Sequence, residues 1–177
     1  MVRMSSLIRL GAAGAAILSL SLGAAADNGA ASDPYAGAVA RTVRGIFEYS
    51  RWPQPRNPLV LCVVGAAQHA GQLGNFRLVD GRQVVRRNVA AHVSALGGCD
   101  ALYIGSIALT AQRQVTASVR GKGVLTIAES DPGSSSEAMF ALTYKPGALS
   151  FRLNIDAVSR SGIKVDPRVL RVAKGGS

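Results

Sequence analysis

This chain has few of the side chains that do chemistry. Its 177 residues include two cysteines, two histidines and one tryptophan; aromatic residues make up 5% and charged residues 17%. His69 and His92 stand apart, and no CxxC or HxxxH spacing exists, so the usual zinc ligand sets are not assembled locally and no metal or cofactor is implied. Gly121-Lys122-Gly123 lacks the remaining spacing of a phosphate loop and reads as a turn into a strand. No Ser or Cys sits in a motif with a positioned base. These absences argue against an enzyme. Past the first 26 residues, no uncharged apolar run reaches the roughly 20 residues that a spanning helix needs, so no stable membrane anchor is expected.

What the chain does have begins with an export signal. Arg3 and Arg9 form a basic region, Leu10 to Leu22 an apolar and small-residue core, and Ala24-Ala25-Ala26 a site suited to signal peptidase. Residues 1–26 therefore read as a signal peptide, with cleavage before Asp27, and 27–34 as a flexible polar lead. No cysteine follows the apolar core, so there is no lipid attachment site. About 150 residues remain, enough for one domain with one sizeable core, and an apolar fraction of 48% is too high for disorder. The formal charge is +10. Without Arg3 and Arg9 it is +8, from 18 basic and 10 acidic residues. Such a balance would suggest nucleic acid in a cytoplasmic protein. Export argues against that partner, and the arginines are scattered without interleaved aromatics. They read as a solvated basic surface or as a face toward an acidic partner or anionic lipid.

Residues 35–174 read as one domain, followed by a short tail at 175–177. The apolar spacing of Val39, Val43, Ile46 and Phe47 predicts a helix over Tyr35 to Arg51, ended by Trp52-Pro53-Gln54-Pro55. Leu59 to Val64 is a continuous apolar run that suits a strand covered on both faces. Gln68 to Leu78 reads as a short helix with Leu73 and Phe76 inward, and Gln83 to Val89 as an exposed strand. Two more buried strands follow at Ala101 to Ile104 and Val124 to Ala128, with a helix over Ala111 to Val119 between them. Met139 to Thr143 and Ala148 to Leu153 flank Pro146-Gly147 and form a hairpin. Asn154 or Asp156 caps a helix running to Arg160 and closed at Gly162. Asp166-Pro167 opens a last helix. The fold class expected is α/β, a single domain with a mixed, mostly parallel sheet flanked by helices on both faces.

Cys62 lies inside an apolar run and Cys99 directly before another. In an oxidising compartment an even pair invites a disulfide, and closing a loop of this length would contribute roughly 4 kcal/mol. The other reading is two buried thiols that never meet. For a ligand, the expected place in such a fold is the crevice at the carboxyl ends of the strands, near Gly65 to His69, Gly105-Ser106 and Glu129 to Ser136. His69, Ser106, Asp131 and Glu137 are its candidate residues. Each also reads as an ordinary capping or turn residue.

Several segments in order resemble the YfiR family. They are IFEYSRWP (Ile46 to Pro53), LVLCVVG (Leu59 to Gly65), GRQVVRR (Gly81 to Arg87), CDALYIGS (Cys99 to Ser106), VLTIAESDPG (Val124 to Gly133) and FRLNIDAVSRSGIKVDPRVLRVA (Phe151 to Ala173). The resemblance implies a periplasmic α/β domain that represses a membrane-bound diguanylate cyclase by binding the cyclase's periplasmic part. It leaves a homodimer open. Partner contact is then expected on the first helix and the GRQVVRR segment, with Tyr49, Arg51, Trp52, Arg86 and Arg87 as anchors, because aromatic and arginine side chains carry a disproportionate share of interface energy. Trp52 also reads as a core plug at the helix end. The competing function is a periplasmic small-ligand binder or sensor that serves a different receptor or transporter. The chain departs from the family where a Gly-Gly pair usually precedes Met139: here Glu137 and Ala138 take those places. Arg152 replaces a usual acid, and Pro167 a common Ser.

Overall fold

The computed structural model describes residues 33–173. The expected leader, most of the lead and the tail lie outside that span. A thirteen-residue helix, α1 (Ala36–Glu48), starts the described chain, and its buried stripe of Val39, Val43, Ile46 and Phe47 is the one the spacing predicts. The helix stops at Glu48 rather than Arg51. Ser50 and Arg51 form a short strand, β1, paired antiparallel with Lys164–Val165 (β9). That pairing ends the helix, and Pro53 falls too late to do so.

Seven strands make the main sheet. In chain order they are β2 (Leu59–Val64), β3 (Phe76–Arg77), β4 (Gln83–Val89), β5 (Ala101–Ile104), β6 (Leu125–Ala128), β7 (Phe140–Lys145) and β8 (Ala148–Leu153), and they lie side by side as β3-β4-β2-β5-β6-β7-β8. The five strands from β4 to β7 run parallel, while β3 and β8 close the two edges antiparallel. The turn at Pro146-Gly147 joins β7 and β8 as read. Alternation along the strands feeds two cores, as expected for a sheet covered on both sides. Leu59, Leu61, Val63, Ala101, Tyr103, Leu125 and Ile127 pack with α1. Cys62, Val64, Leu102 and Ile104 pack on the other face with Val115 and Val119 of α2 (Leu109–Val119). The α/β domain with its mixed, mostly parallel sheet and helices on both faces is therefore present.

Besides the end of α1, two elements differ from the sequence reading. Gln68 to Leu78 is an irregular loop leading into β3, although Leu73 is buried as expected. Its Ala70 and Leu73 carbonyls accept from the Arg86 guanidinium at 3.0 and 2.9 Å, so they are taken by a side chain instead of a helical ladder. Strand β4 is exposed over much of its length, as read: β2 pairs with Val84–Val89, β3 covers only Gln83 and Val84 on the outer side, and Val84 alone is buried. The last helix is a 3-10 turn, Pro167–Arg171, opened as read by the Asp166 side chain accepting from the Arg168 amide at 2.8 Å. Asn154, not Asp156, caps α3 (Ile155–Ser159), accepting from the Ala157 amide at 2.9 Å.

Cys62 and Cys99 are bonded, with Cα atoms 5.8 Å apart. The bridge ties the centre of β2 to the turn that enters β5. The Arg87 guanidinium lies against both sulfurs, at 3.4 and 3.3 Å, while donating to the Gly97 carbonyl at 2.6 Å.

Candidate partner-binding cleft

The short β1–β9 ribbon builds a cleft at the carboxyl end of α1. Ser50 is fully buried and returns its hydroxyl to the Ile46 carbonyl at 2.7 Å. The Asp166 amide donates to the Tyr49 carbonyl at 2.9 Å, which fixes the 3-10 turn beside the helix end. Val172, just past that turn, lies over Gly45, where an added Cβ would meet its methyl at 2.8 Å. The resulting cleft, about 350 Å³, is lined by Glu48, Tyr49, Arg51, Lys164, Pro167 and Arg168 among others.

Charge in this cleft is arranged rather than random. Arg51 donates to the Glu48 and Ser50 carbonyls at 2.7 and 2.9 Å, at the negative end of the helix dipole. Arg168 pairs with Asp166 at 2.6 Å and stands over the Tyr49 ring at 5.8 Å. Its hydrogen bond to Asp166, reinforced by the Arg168 amide, holds that carboxyl down at about 2. Glu48 spends an oxygen on the Val79 amide at 2.9 Å. Both acids are thus engaged by the protein, Asp166 by Arg168 itself, and the surface offered outward is Tyr49 with Arg51 and Lys164 beside that ion pair.

Of the five residues proposed as anchors, the cleft unites only Tyr49 and Arg51. Trp52 packs on Phe47 with ring centres 5.3 Å apart, and its indole donates to the Asp100 carbonyl at 2.8 Å, so it closes the helix end as the plug reading describes. Arg86 holds the 70–73 loop and Arg87 covers the disulfide. Lys164 and Arg168 went unread because only the β1–β9 pairing brings them to Tyr49.

At the carboxyl ends of the strands the chain closes on itself at Gly105. β2 leads outward to β4 and β5 leads outward to β6, so the strand order reverses between Gly65 and Gly105. The Ala66–Ala67 backbone lies directly on Gly105, where an added Cβ would come within 2.3 Å of the Ala66 oxygen. The Ser106 amide donates to that same oxygen at 2.7 Å. His69, Ser106, Asp131 and Glu137 are not brought together. His69 meets Asp33 at 2.9 Å. Burial opposes ionisation of Asp33, but the Tyr35 amide and the His69 ring outweigh it and hold the carboxyl below its ordinary range. Asp131 accepts from the Ser135 and Ser136 amides at 2.8 Å each, organising its own loop. Glu137 pairs with Arg120.

Glu137 and Ala138, where the resemblance leads one to expect a Gly-Gly pair, lie in that loop, and Arg152 of β8 reaches it. Glu137 has φ of +57°, a left-handed conformation that glycine adopts without strain. Arg152 donates to the Asp131 carbonyl at 2.8 Å and to the Ser134 hydroxyl. Charged side chains thus hold this loop, Glu137 through Arg120 and the Asp131 turn through Arg152.

The buried residue at the strand ends that the sequence left unassigned is Glu129, 2% exposed. It accepts from the Gln68 and His69 amides at 2.8 and 2.7 Å and from the Tyr103 hydroxyl at 2.9 Å. Burial first, then the nearby Tyr144 and Glu129, push the Tyr103 phenol far up, so it remains a donor. An acid closing the apolar run LTIAE was the available signal, since a carboxyl there must find donors.

The family model described as DUF4154, YfiR/HmsC-like, matches residues 37–174. This span includes the sheet, both bonded cysteines and every residue of the cleft, and the chain belongs to the YfiR/HmsC-like family.

Proposed function

We propose that this protein is an exported regulatory domain that lowers cyclic di-GMP signalling by holding the periplasmic part of an inner-membrane diguanylate cyclase. Membership of the YfiR/HmsC-like family supports the regulatory role. The disulfide fits an oxidising compartment. The observation that carries the choice of surface is the cleft in which Tyr49, Arg51 and Lys164 stand beside the Asp166–Arg168 pair, with Glu48 on the Val79 amide. Such a surface suits an acidic segment of the receptor, and binding that favours the receptor's inactive arrangement would shift its population. A coupling of about 3 kcal/mol gives roughly a hundredfold change in activity.

A photocrosslinking residue at position 49 should capture a membrane protein with a cyclase domain. The same probe at position 113, on α2 across the sheet, should not. In a strain lacking the protein, cyclic di-GMP should rise, and Tyr49→Ala/Lys164→Glu should fail to lower it while melting as the parent does. Full repression by a folded double variant would remove the cleft from the interface.

A further inference from the structure

Carboxylates are scarce on one whole side of the domain. Between positions 81 and 128 the chain has Arg82, Arg86, Arg87, Arg113, Arg120 and Lys122 but a single acid, Asp100, which is 4% exposed and paired with Arg56 at 3.3 Å. This stretch supplies the layer over the second core: α2 and the 3-10 turn Val93–Leu96, whose Leu96, Val115 and Val119 are buried in it. The two segments start side by side, since an added Cβ at Gly65 would meet Ala91 at 3.6 Å and Ile107 at 2.5 Å. Their outward side shows Val93, 51% exposed, and Leu109, 40% exposed, with His92, Thr110 and Gln114 exposed around them. Most cations here keep their full charge. Arg113 and Arg87 donate to neutral groups, the Ser135 and Gly97 carbonyls, at 2.9 and 2.6 Å. Lys122 makes no ion pair among the described residues. Arg120 pairs with an acid, Glu137.

We infer that this α2 side rests on an anionic phospholipid surface. A bilayer presents negative charge over a whole plane and so disfavours a carboxylate anywhere on the side that meets it, whereas a protein partner needs opposite charge only at its own contacts. Depletion of acids across the entire side fits the plane. Attraction to it depends on the net charge within a Debye length, not on a set position for each guanidinium. Val93 and Leu109 stand out singly from neighbouring segments, which suits entry among lipid headgroups. Resting this way, the domain keeps α1 and the Tyr49 cleft on its far side, because they pack on the opposite face of the sheet. The inference does not depend on the role of that cleft, and its test contains no receptor.

Flotation of the purified protein with vesicles at about 0.1 M salt tests this. Phosphatidylcholine vesicles carrying about 30% phosphatidylglycerol should bind it at least about tenfold more tightly than phosphatidylcholine alone. Arg113→Glu/Lys122→Glu should weaken that binding by at least about tenfold. Arg41→Glu/Arg171→Glu, the same charge change on the α1 side, should leave it within about threefold, because that side lies more than a Debye length from the lipid. Val93→Ser/Leu109→Ser should weaken it by about threefold or more. Equal losses in the two charge-reversal pairs would overturn the inference, as would equal binding to both kinds of vesicle. Soluble polyglutamate bound as tightly as the anionic vesicles would assign the side to an acidic protein and overturn it as well. These last two comparisons use the unaltered chain, so a variant that fails to fold leaves the test standing.

Discussion

Single buried acids set much of this structure. Glu129 and Asp100 are both nearly inaccessible and each serves backbone amides far away in sequence: Glu129 holds Gln68 and His69, and Asp100 holds Val60 at 2.8 Å with Arg56 across it at 3.3 Å. They work as joints between the strand ends and the connecting loops. Glu129→Gln keeps the shape, but either setting of the amide turns its NH₂ toward a backbone amide, of Gln68 or of His69, that can only donate. A loss of roughly 2–3 kcal/mol is expected, the cost of one unmet charged hydrogen bond in a buried site, read from the urea midpoint at unchanged slope. A change below about 0.5 kcal/mol would mean that the three donors find other partners. Identity alone could mark Glu129 as unusual, because it ends an apolar strand. Its partners lie some 60 residues away and were not readable.

Elements were legible where their own side chains decide them. The β2, β5 and β6 runs are buried on both faces, and α1 carries a clean stripe, so the reading and the structure agree there. The 68–78 segment failed because Leu73 and Phe76 have helical spacing while Gly71 and Gly74 weaken a helix and Arg86 takes its carbonyls. The end of α1 failed for a related reason: β9, more than a hundred residues on, pulls Ser50 and Arg51 into a strand. Two element-scale predictions follow from these ties. The Cys62–Cys99 bond closes a span of 37 residues, so replacing both cysteines by alanine should cost about 4 kcal/mol in chain-entropy terms, seen as an earlier urea midpoint. An unshifted midpoint would mean that the unfolded chain gains nothing from the missing link. The 3-10 turn should respond to acid. Asp166 has its folded pKa lowered from 3.8 to about 2, so its contribution is complete above about pH 4 and disappears as the pH falls toward 2. Exchange protection of the Arg168 amide should drop over that window, and Asp166→Asn should abolish the pH dependence. Protection that changes only above pH 5 would assign it to another group.

At the scale of the whole molecule, charge is the property the sequence states most plainly, and its placement is what only the fold supplies. Scattered arginines become two kinds of feature. Some are consumed as struts, as Arg86, Arg87 and Arg152 are, each donating to main-chain carbonyls. Others face outward beside the Tyr49 cleft and along α1. This division predicts different salt responses for stability and for recognition. The struts act over hydrogen-bond distances on neutral carbonyls, where added salt screens little, whereas the acidic receptor domain proposed above would feel the net field over a Debye length of about 8–10 Å at physiological ionic strength. Association with the proposed receptor's periplasmic domain should therefore slow by about tenfold or more between low salt and about 0.5 M, with the dissociation rate changing much less. The thermal midpoint of the free protein should move only slightly over the same range. Surface plasmon resonance across a salt series separates the two rates. A salt-independent association rate would mean that capture depends on the apolar fit of Tyr49 and not on the basic surface, and the predicted loss from Lys164→Glu would then vanish with it.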